Sequence, residues 1–463
     1  MLLNYQYRVY PGTNQKLTLN NWLRIARYWY NWQLGDRFDW WERNRSATNS
    51  CRLVCHVGYP LRDNPTRYSQ QALLPGLKKD LLCVRHSGEL LDFSLLPANT
   101  LQDVTKRADL AFQRFTSCDL NGNRSGKPRL KNAARYRTLG FTGSQIPKVV
   151  RVQKDWLFVT LPRFKGWLKV RYHRPLPDGF EVRTALLTKK ADGWYITLCI
   201  KDETVPNPAE NKVIPAWDNS LGMDAVLHED DYLATSEGEK LPSLKSFRNN
   251  QSKLAKVSEK KSKKRKGSKS RRKLAYREAR IHQRVARSRK DHACKTSHAL
   301  LRTGKKVFFH EKLNLKGLSK RNKAKQDNSG KHLPNGQSAK SGLNKSWQDA
   351  AFGEFFKTLQ HIAEKAGCKV IPVNPAYTSQ ILSYKDEFVF TDCSIRKYWD
   401  EEYALWIDRD ISAGCNIKRV GLNVFPTIKR RSGKVVVDRT TTNSTAKEVL
   451  AIFSRCQSPH YNL

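Results

Sequence analysis

Three acidic side chains stand where they could handle metal ions. Asp224 lies in Leu-Gly-Met-Asp-Ala-Val and Glu311 in Val-Phe-Phe-His-Glu-Lys-Leu, each at the end of a short apolar run that reads as a strand. The stretch Trp406-Ile-Asp-Arg-Asp-Ile-Ser-Ala-Gly-Cys-Asn-Ile417 reads as the start of a helix. Asp408 or Asp410 sits at its entrance, and Ile411, Cys415 and Ile417 form an apolar face. One acid at a helix start needs no role beyond capping free N–H groups. Two strand carboxylates and one helix carboxylate together can hold two divalent ions roughly 4 Å apart, one activating water and one stabilising a leaving oxygen. Carboxylate ligands favour hard ions, so Mg²⁺ or Mn²⁺ is expected.

That constellation makes the C-terminal half an RNase H-like, metal-dependent nuclease, with the rest of the chain delivering nucleic acid to it. The totals agree. The chain has 463 residues, 85 Lys and Arg against 42 Asp and Glu, and a net charge of +43, which suits a polyanionic partner. Its length calls for two or three domains. No run of about 18 apolar residues and no signal-peptide core follows Met1, so no membrane association and a cytoplasmic location are expected. Ten Cys are scattered singly, as free thiols in a reducing compartment would be. Cys51, Cys55, Cys83 and His86 have a loosely zinc-like spacing that coincidence explains as well. His292, Cys294 and His298 read as structural or surface residues.

The elements that must position the acids follow from periodicity. Residues 4–10 alternate and end at Pro11-Gly12. Leu19, Trp22, Leu23, Ala26, Trp29 and Tyr30 repeat at helical spacing, with Arg24, Arg27 and Arg37 expected on other faces. A second helix is expected from Thr100, with Asp103 completing a capping box. Residues 119–135 form a Gly- and Lys/Arg-rich loop. From 148 the period becomes two, with strands at 149–152, 156–161, 167–172, 182–187 and 194–200, the last two joined by Asp192-Gly193. The expected architecture is α/β and multidomain. Residues 1–12 and 136–215 form a β-barrel with residues 13–135 as a helical insertion, and residues 216–420 form the RNase H-like domain.

Residues 251–290 hold 18 Lys and Arg against 2 acids over a thin seam of Leu274, Ile281 and Val285. That density is too high for an ordinary solvated face, and a basic helical hairpin over 245–303 contacting phosphates is expected. Its contact candidates are Lys263, Lys264, Arg265, Lys266, Lys269, Arg271, Arg272, Lys273, Arg280 and Arg284. Residues 316–346 read as a mobile loop. Ser346 should cap the helix carrying Phe352, Phe355, Phe356, Leu359 and Ile362, with Asp349 at the reciprocal capping position, and Gly367 ends that helix before a strand at 368–373. Residues 421–463 form a tail with a short strand and a weak helix near 446–454.

Several of these stretches resemble the TnpB family of insertion-sequence proteins, compact relatives of type V CRISPR effector nucleases. They are Tyr-Gln-Tyr-Arg-Val-Tyr-Pro, Gly-Lys-Pro-Arg-Leu-Lys, Gly-Trp-Leu-Lys-Val-Arg-Tyr, Gly-Met-Asp, Ser-Lys-Ser-Arg-Arg-Lys, His-Glu-Lys-Leu-Asn-Leu, Val-Asn-Pro-Ala-Tyr-Thr-Ser-Gln and Asp-Arg-Asp-Ile-Ser-Ala-Gly-Cys-Asn-Ile. The resemblance implies an RNA-guided DNA endonuclease with a RuvC-type domain. Its partners would be a guide RNA and double-stranded DNA bearing a short flanking motif. It also implies that the catalytic acids are Asp224, Glu311 and Asp410, with Asp408 in a supporting place.

This chain departs from the family pattern. Ala225-Val226 follows Asp224 where a Gly is usual, and Lys312 replaces an acid after Glu311. The segment 381–407 lacks the two Cys-x-x-Cys pairs of a zinc ribbon. Leu382, Lys385, Asp400 and Tyr403 stand at about those places, and only Cys393 remains, so no zinc is expected there. The segment is expected to hold by packing of Phe388, Phe390, Tyr398, Trp399, Tyr403 and Trp406. These departures keep open a guided DNA-binding protein that does not cut. A DNA-processing transposase is the other alternative, since transposases share the carboxylate core.

Overall fold

The structure is a computed structural model and describes residues 2–44, 63–85, 87–120, 122–203, 212–392, 394–431, 434–438 and 443–457. Cys51, Cys55, His86, Cys393 and the Pro206–Pro208 linker lie outside the described residues. The chain divides into two compact units, Met1–Thr204 and Val205–Leu463. No described helix is long and apolar enough to cross a membrane.

In the first unit, β1 (Leu2–Val9) buries Leu3, Tyr5, Tyr7 and Val9, as its alternation dictates. It pairs with two strands that follow far later in the chain. The strands are β2 (Thr138–Thr142), β3 (Lys148–Gln153), β4 (Trp156–Thr160), β5 (Trp167–Arg171), β6 (Glu181–Lys190) and β7 (Gly193–Lys201). The sheet order is β2-β6-β7-β1-β5-β4-β3. Among the described residues the pairing runs between two edges, β2 and β3, without showing the closure of a barrel. β2 escaped the sequence reading because Gly140 interrupts its apolar run. The glycine is needed: a Cβ there would run into the Asp103 carboxylate and the Arg107 guanidinium.

Between β1 and β2 come α1 (Thr13–Asn44) and α2 (Ala98–Thr116). The aromatic stripe of α1 is buried as expected, with one correction. Arg37 is not on an outer face; it is 3% exposed and pairs with Asp109 of α2 at 2.9 Å. The start of α2 also differs. Pro97, locked at φ −59°, sets the boundary, so the helix begins at Ala98 and Thr100 is already inside its first turn. Asp103 caps nothing and pairs with Arg107.

The second unit is built on a five-stranded sheet of β8 (Ser220–Ala225), β9 (Asp231–Thr235), β10 (Lys240–Pro242), β11 (Val307–Glu311) and β12 (Lys369–Val373), in the order β10-β9-β8-β11-β12. β8, β11 and β12 are parallel, as a strand–helix–strand order requires. The crossover from β8 to β11 carries α3 (Ser246–Ser262) and α4 (Lys269–Arg302), the expected basic hairpin. Val285 of α4 and Leu254 and Val257 of α3 are buried in it. Lys263–Lys266, Lys269, Arg272, Lys273, Arg280 and Arg284 are exposed. Arg271 is differently used: its guanidinium donates to the carbonyls of Lys261 and Lys264 and braces the turn. Replacing Lys263, Lys264, Arg265 and Lys266 with Gln should lower the slope of log affinity against log salt by about three, measured by filter binding of nucleic acid.

The β11-to-β12 crossover corrects two expectations. Residues 316–346 are not a bare loop: they hold a two-stranded hairpin at 325–333 and most of α5 (Gln337–Ala350). Ser346 lies inside that helix and starts nothing. The break is at Ala351, with φ 54°, and α6 (Phe352–Lys365) follows. Asp349 does cap a helix, but a distant one. Its carboxylate accepts from the amides of Phe247 and Arg248 at the start of α3 and pairs with Arg289 of α4 at 2.9 Å.

The segment 381–407 runs into β13 (Lys397–Asp400), β14 (Leu405–Asp408) and then α7 (Arg409–Gly421). Phe390 is buried, but Trp399, Tyr403 and Trp406 are exposed and lie outside the apolar core. Leu382, Tyr384 and Ile407 do the packing, against Val449, Ile452 and Phe453 of α8 (Ala446–Cys456). A buried polar knot completes it. Asp400, 1% exposed, pairs with Lys385 at 2.7 Å and accepts from the Tyr384 hydroxyl at 2.5 Å, while Lys385 lies 5.2 Å from the Tyr403 ring. Thus three of the four positions named above for thiolates meet one another through charge and ring contacts.

Candidate functional site

The site is set by two backbones that touch. Gly222 faces α7, and a Cβ there would overlap the Gly414 carbonyl oxygen and crowd the Lys418 amide. Gly414 in turn lies against the backbone of Thr235. Asp224 follows Gly222 by two residues on the same strand face, and Asp410 precedes Gly414 by one helical turn. The glycine contact therefore fixes how closely the two carboxylates approach. Gly222→Ala should cost about 3 kcal/mol in a denaturant melt, because neither backbone can yield.

Glu311 enters from β11, the parallel neighbour of β8, one register step past Met223↔His310. Its carboxylate shares a hydrogen bond with Asp224. Burial first, and then the Glu311 and Asp410 carboxylates, push Asp224 well above the usual carboxylate range. Burial likewise raises Glu311 to about 7. Both shifts favour the protonated form of the pair. His310 is structural: its ring stacks on Phe356 at 3.9 Å, and burial lowers its pKa.

At the entrance of α7 the two candidate acids separate. Asp408 is the cap, accepting from the amides of Asp410 and Ile411 at 2.9 and 3.2 Å. Asp410 is 4% exposed and faces Arg396 at 3.1 Å and Lys240 at 3.8 Å. Lys240 also bridges Asp408 and Asp231. Sequence reasoning found neither Arg396 nor Lys240, which carry no signal among 85 basic residues. Among the described residues no group of three or more His, Cys, Asp or Glu is already arranged to hold a metal ion. Asp224 and Glu311 are together; Asp410 is near enough to act on Asp224 electrostatically but is turned to its cations. Lys312 is exposed.

Known proteins match along the chain in the same order as these parts. A helix-turn-helix domain profile of insertion-sequence OrfB proteins covers residues 1–46, the one described as "Probable transposase" covers 208–322, and a Cas12f1-like TNB domain covers 352–417. A "TnpB-like protein" of Acanthamoeba polyphaga mimivirus is 29% identical over 425 residues, spanning 90% of this chain and 72% of that protein. Along most of its length the chain is similar to TnpB-like proteins. Two further relatives carry the name "Putative RNA-guided DNA endonuclease". The one from Streptomyces pristinaespiralis is 26% identical, over 90% of this chain and 89% of its own length. The one from Escherichia coli is 27% identical, over 62% and 65%. Asp224 and Glu311 fall in the transposase match, and Arg396 and Asp410 in the TNB match.

Proposed function

We propose that this protein is a transposon-associated, RNA-guided DNA endonuclease, with Asp224, Glu311 and Asp410 as its catalytic carboxylates. The observation that carries the reading is the buried Asp224–Glu311 pair, with Asp410 close enough to raise Asp224 further. A carboxylate whose ionisation is opposed by its own burial and by two neighbouring acids, as that of Asp224 is, is destabilising without a cation, and the all-oxygen donor set fits Mg²⁺ or Mn²⁺. Asp224 and Glu311 would hold the metal, joined by Asp410 once it leaves Arg396. The bound metal supplies an activated water and a stabilised leaving oxygen. The chain's own part is to fix the carboxylates on touching backbones, give up the pair's proton and keep bulk water out.

Guide RNA and double-stranded target DNA are the partners in this reading, supported by the names of the full-length relatives and the basic α3–α4 hairpin. Pairing with the guide would select sequence, and the protein would read backbone and a short flanking motif. The first unit, sheet and helical insertion together, would grip the guide and the flank. A guided binder that does not cut is the second reading, favoured by Asp410 being held by Arg396 and Lys240.

The test is to purify the protein from cells carrying its own flanking DNA and sequence the RNA that comes with it. Matched DNA and Mg²⁺ are then added, with Asp224→Ala as control. RNA-dependent cutting lost in the control supports the nuclease. Equal RNA-dependent binding without cutting selects the binder, and absence of RNA overturns both.

A further inference from the structure

Of the aromatic residues on β1 and α1 that could stack on bases, Tyr7 and Trp29 are each 1% exposed and belong to the core, whereas Trp32 is 38% exposed. Arg24, Arg27, Tyr28, Asn31 and Trp32 recur at helical spacing and make one face of α1 that the described residues do not cover completely. Two hollows open on that face, and Tyr28 and Trp32 line both. One, of about 310 Å³, is apolar, walled by Leu73, Leu77 and Leu82 with Gly76 between them. The other, of about 420 Å³, is mixed, with the charged residues Arg24, Arg27, Lys131 and Glu89 around it beside Leu91.

We infer that this groove binds one unstacked nucleotide of single-stranded RNA, its base against Trp32 in the apolar hollow and its phosphate toward Arg27 and Lys131. A flat apolar ring joined to an anion matches two hollows that share an aromatic wall. Trp32 is held ready: it stacks on the buried Trp29 at 5.2 Å and 7°, and Trp29 donates to the Thr105 hydroxyl. Little ordering is then left for the binding step. Lys131 comes from the Gly- and Lys/Arg-rich loop, which Asn31 fastens to α1 by hydrogen bonds at 2.8 and 2.9 Å in both directions. Glu89 argues for RNA over DNA. Its carboxylate, 3.9 Å from Arg24, would repel a phosphate but accepts a hydrogen bond from a ribose 2′-hydroxyl.

The inference rests on the guided reading, and its test keeps the two apart by measuring binding in EDTA, where no cutting occurs. The probe is a short oligouridine carrying one 2-aminopurine, added to the full-length protein freed of its own RNA. Stacking on Trp32 should quench the fluorophore. Trp32→Ala should abolish the quench and weaken binding about tenfold. Gly76→Leu should do the same from the opposite wall. No atom outside its own neighbourhood lies within 4 Å of a Cβ at Gly76, so the new side chain fills the hollow without disturbing the fold. Unchanged affinity and quench in both variants would overturn the site. Equal quench by the matching deoxy oligonucleotide would overturn its assignment to RNA.

Discussion

Asp224→Asn is expected to abolish cutting, by at least about 10³-fold in rate, and at the same time to raise the melting temperature of the metal-free protein. The two effects have one cause. Asp224 and Glu311 are both raised, so between about 4.5 and 7 the folded protein holds protons that the unfolded chain has released. Stability of the metal-free protein therefore falls as pH rises through that window. The amide keeps the shape, keeps a hydrogen bond to Glu311 and removes one ionisation. A gain of roughly 1–3 kcal/mol is expected at pH 8, vanishing toward pH 4.5. Calorimetry of the two proteins in EDTA at both pH values checks it. A destabilised amide variant at pH 8 would mean that the carboxylates are not in conflict, and the main support for a metal there would be gone.

The second large effect is expected at Asp400. Asp400→Ala strands the buried Tyr384 hydroxyl and leaves the Lys385 ammonium only Glu402, at 2.9 Å, a change that costs about 1–3 kcal/mol. Burial alone would raise Asp400, but the hydrogen bonds from Lys385 and Tyr384 outweigh it and hold the carboxylate below its usual range. A lowered carboxylate contributes stability that is present above about pH 4 and lost as pH falls through its folded value. Acid below about pH 4 should therefore loosen β13 and β14, and with them Arg396 and Asp410. Hydrogen exchange resolved along the chain should show faster exchange over 381–411 in the variant, while EDTA leaves that segment of the native protein unaffected. Equal protection in native and variant protein would remove the knot's structural role.

The same segment shows what a sequence can reveal. The period-two runs from 156 to 200 and the apolar stripe of α1 predicted their elements because local alternation and burial coincide there. So did Asp224, Glu311 and Asp410, each set at the end of a short apolar run or at a helix entrance. What escaped was set by distant partners. Trp399 and Trp406 look like core residues, yet they are cross-strand neighbours on the open face of a two-stranded hairpin. Arg37 looks like a surface residue until Asp109 arrives from another helix. Asp349 looks like a local cap and instead caps a helix about a hundred residues earlier. The pairing of Asp410 with Arg396 and Lys240 is of the same kind, since no periodicity links β10, β13 and α7.

The contact between Gly222 and Gly414, together with Gly421 against the Phe309 ring, has a consequence for mutational tolerance. A saturation scan scored by cutting alone would rank these three glycines beside the three acids, since any added side chain forces the helix off the sheet. Scored in parallel for cellular abundance, the two sets should part. Glycine substitutions would lower both scores, whereas substitutions at the acids would lower cutting and leave abundance level or higher. In a shortened or re-engineered version of this protein, the spacing between these backbones is the dimension with no slack.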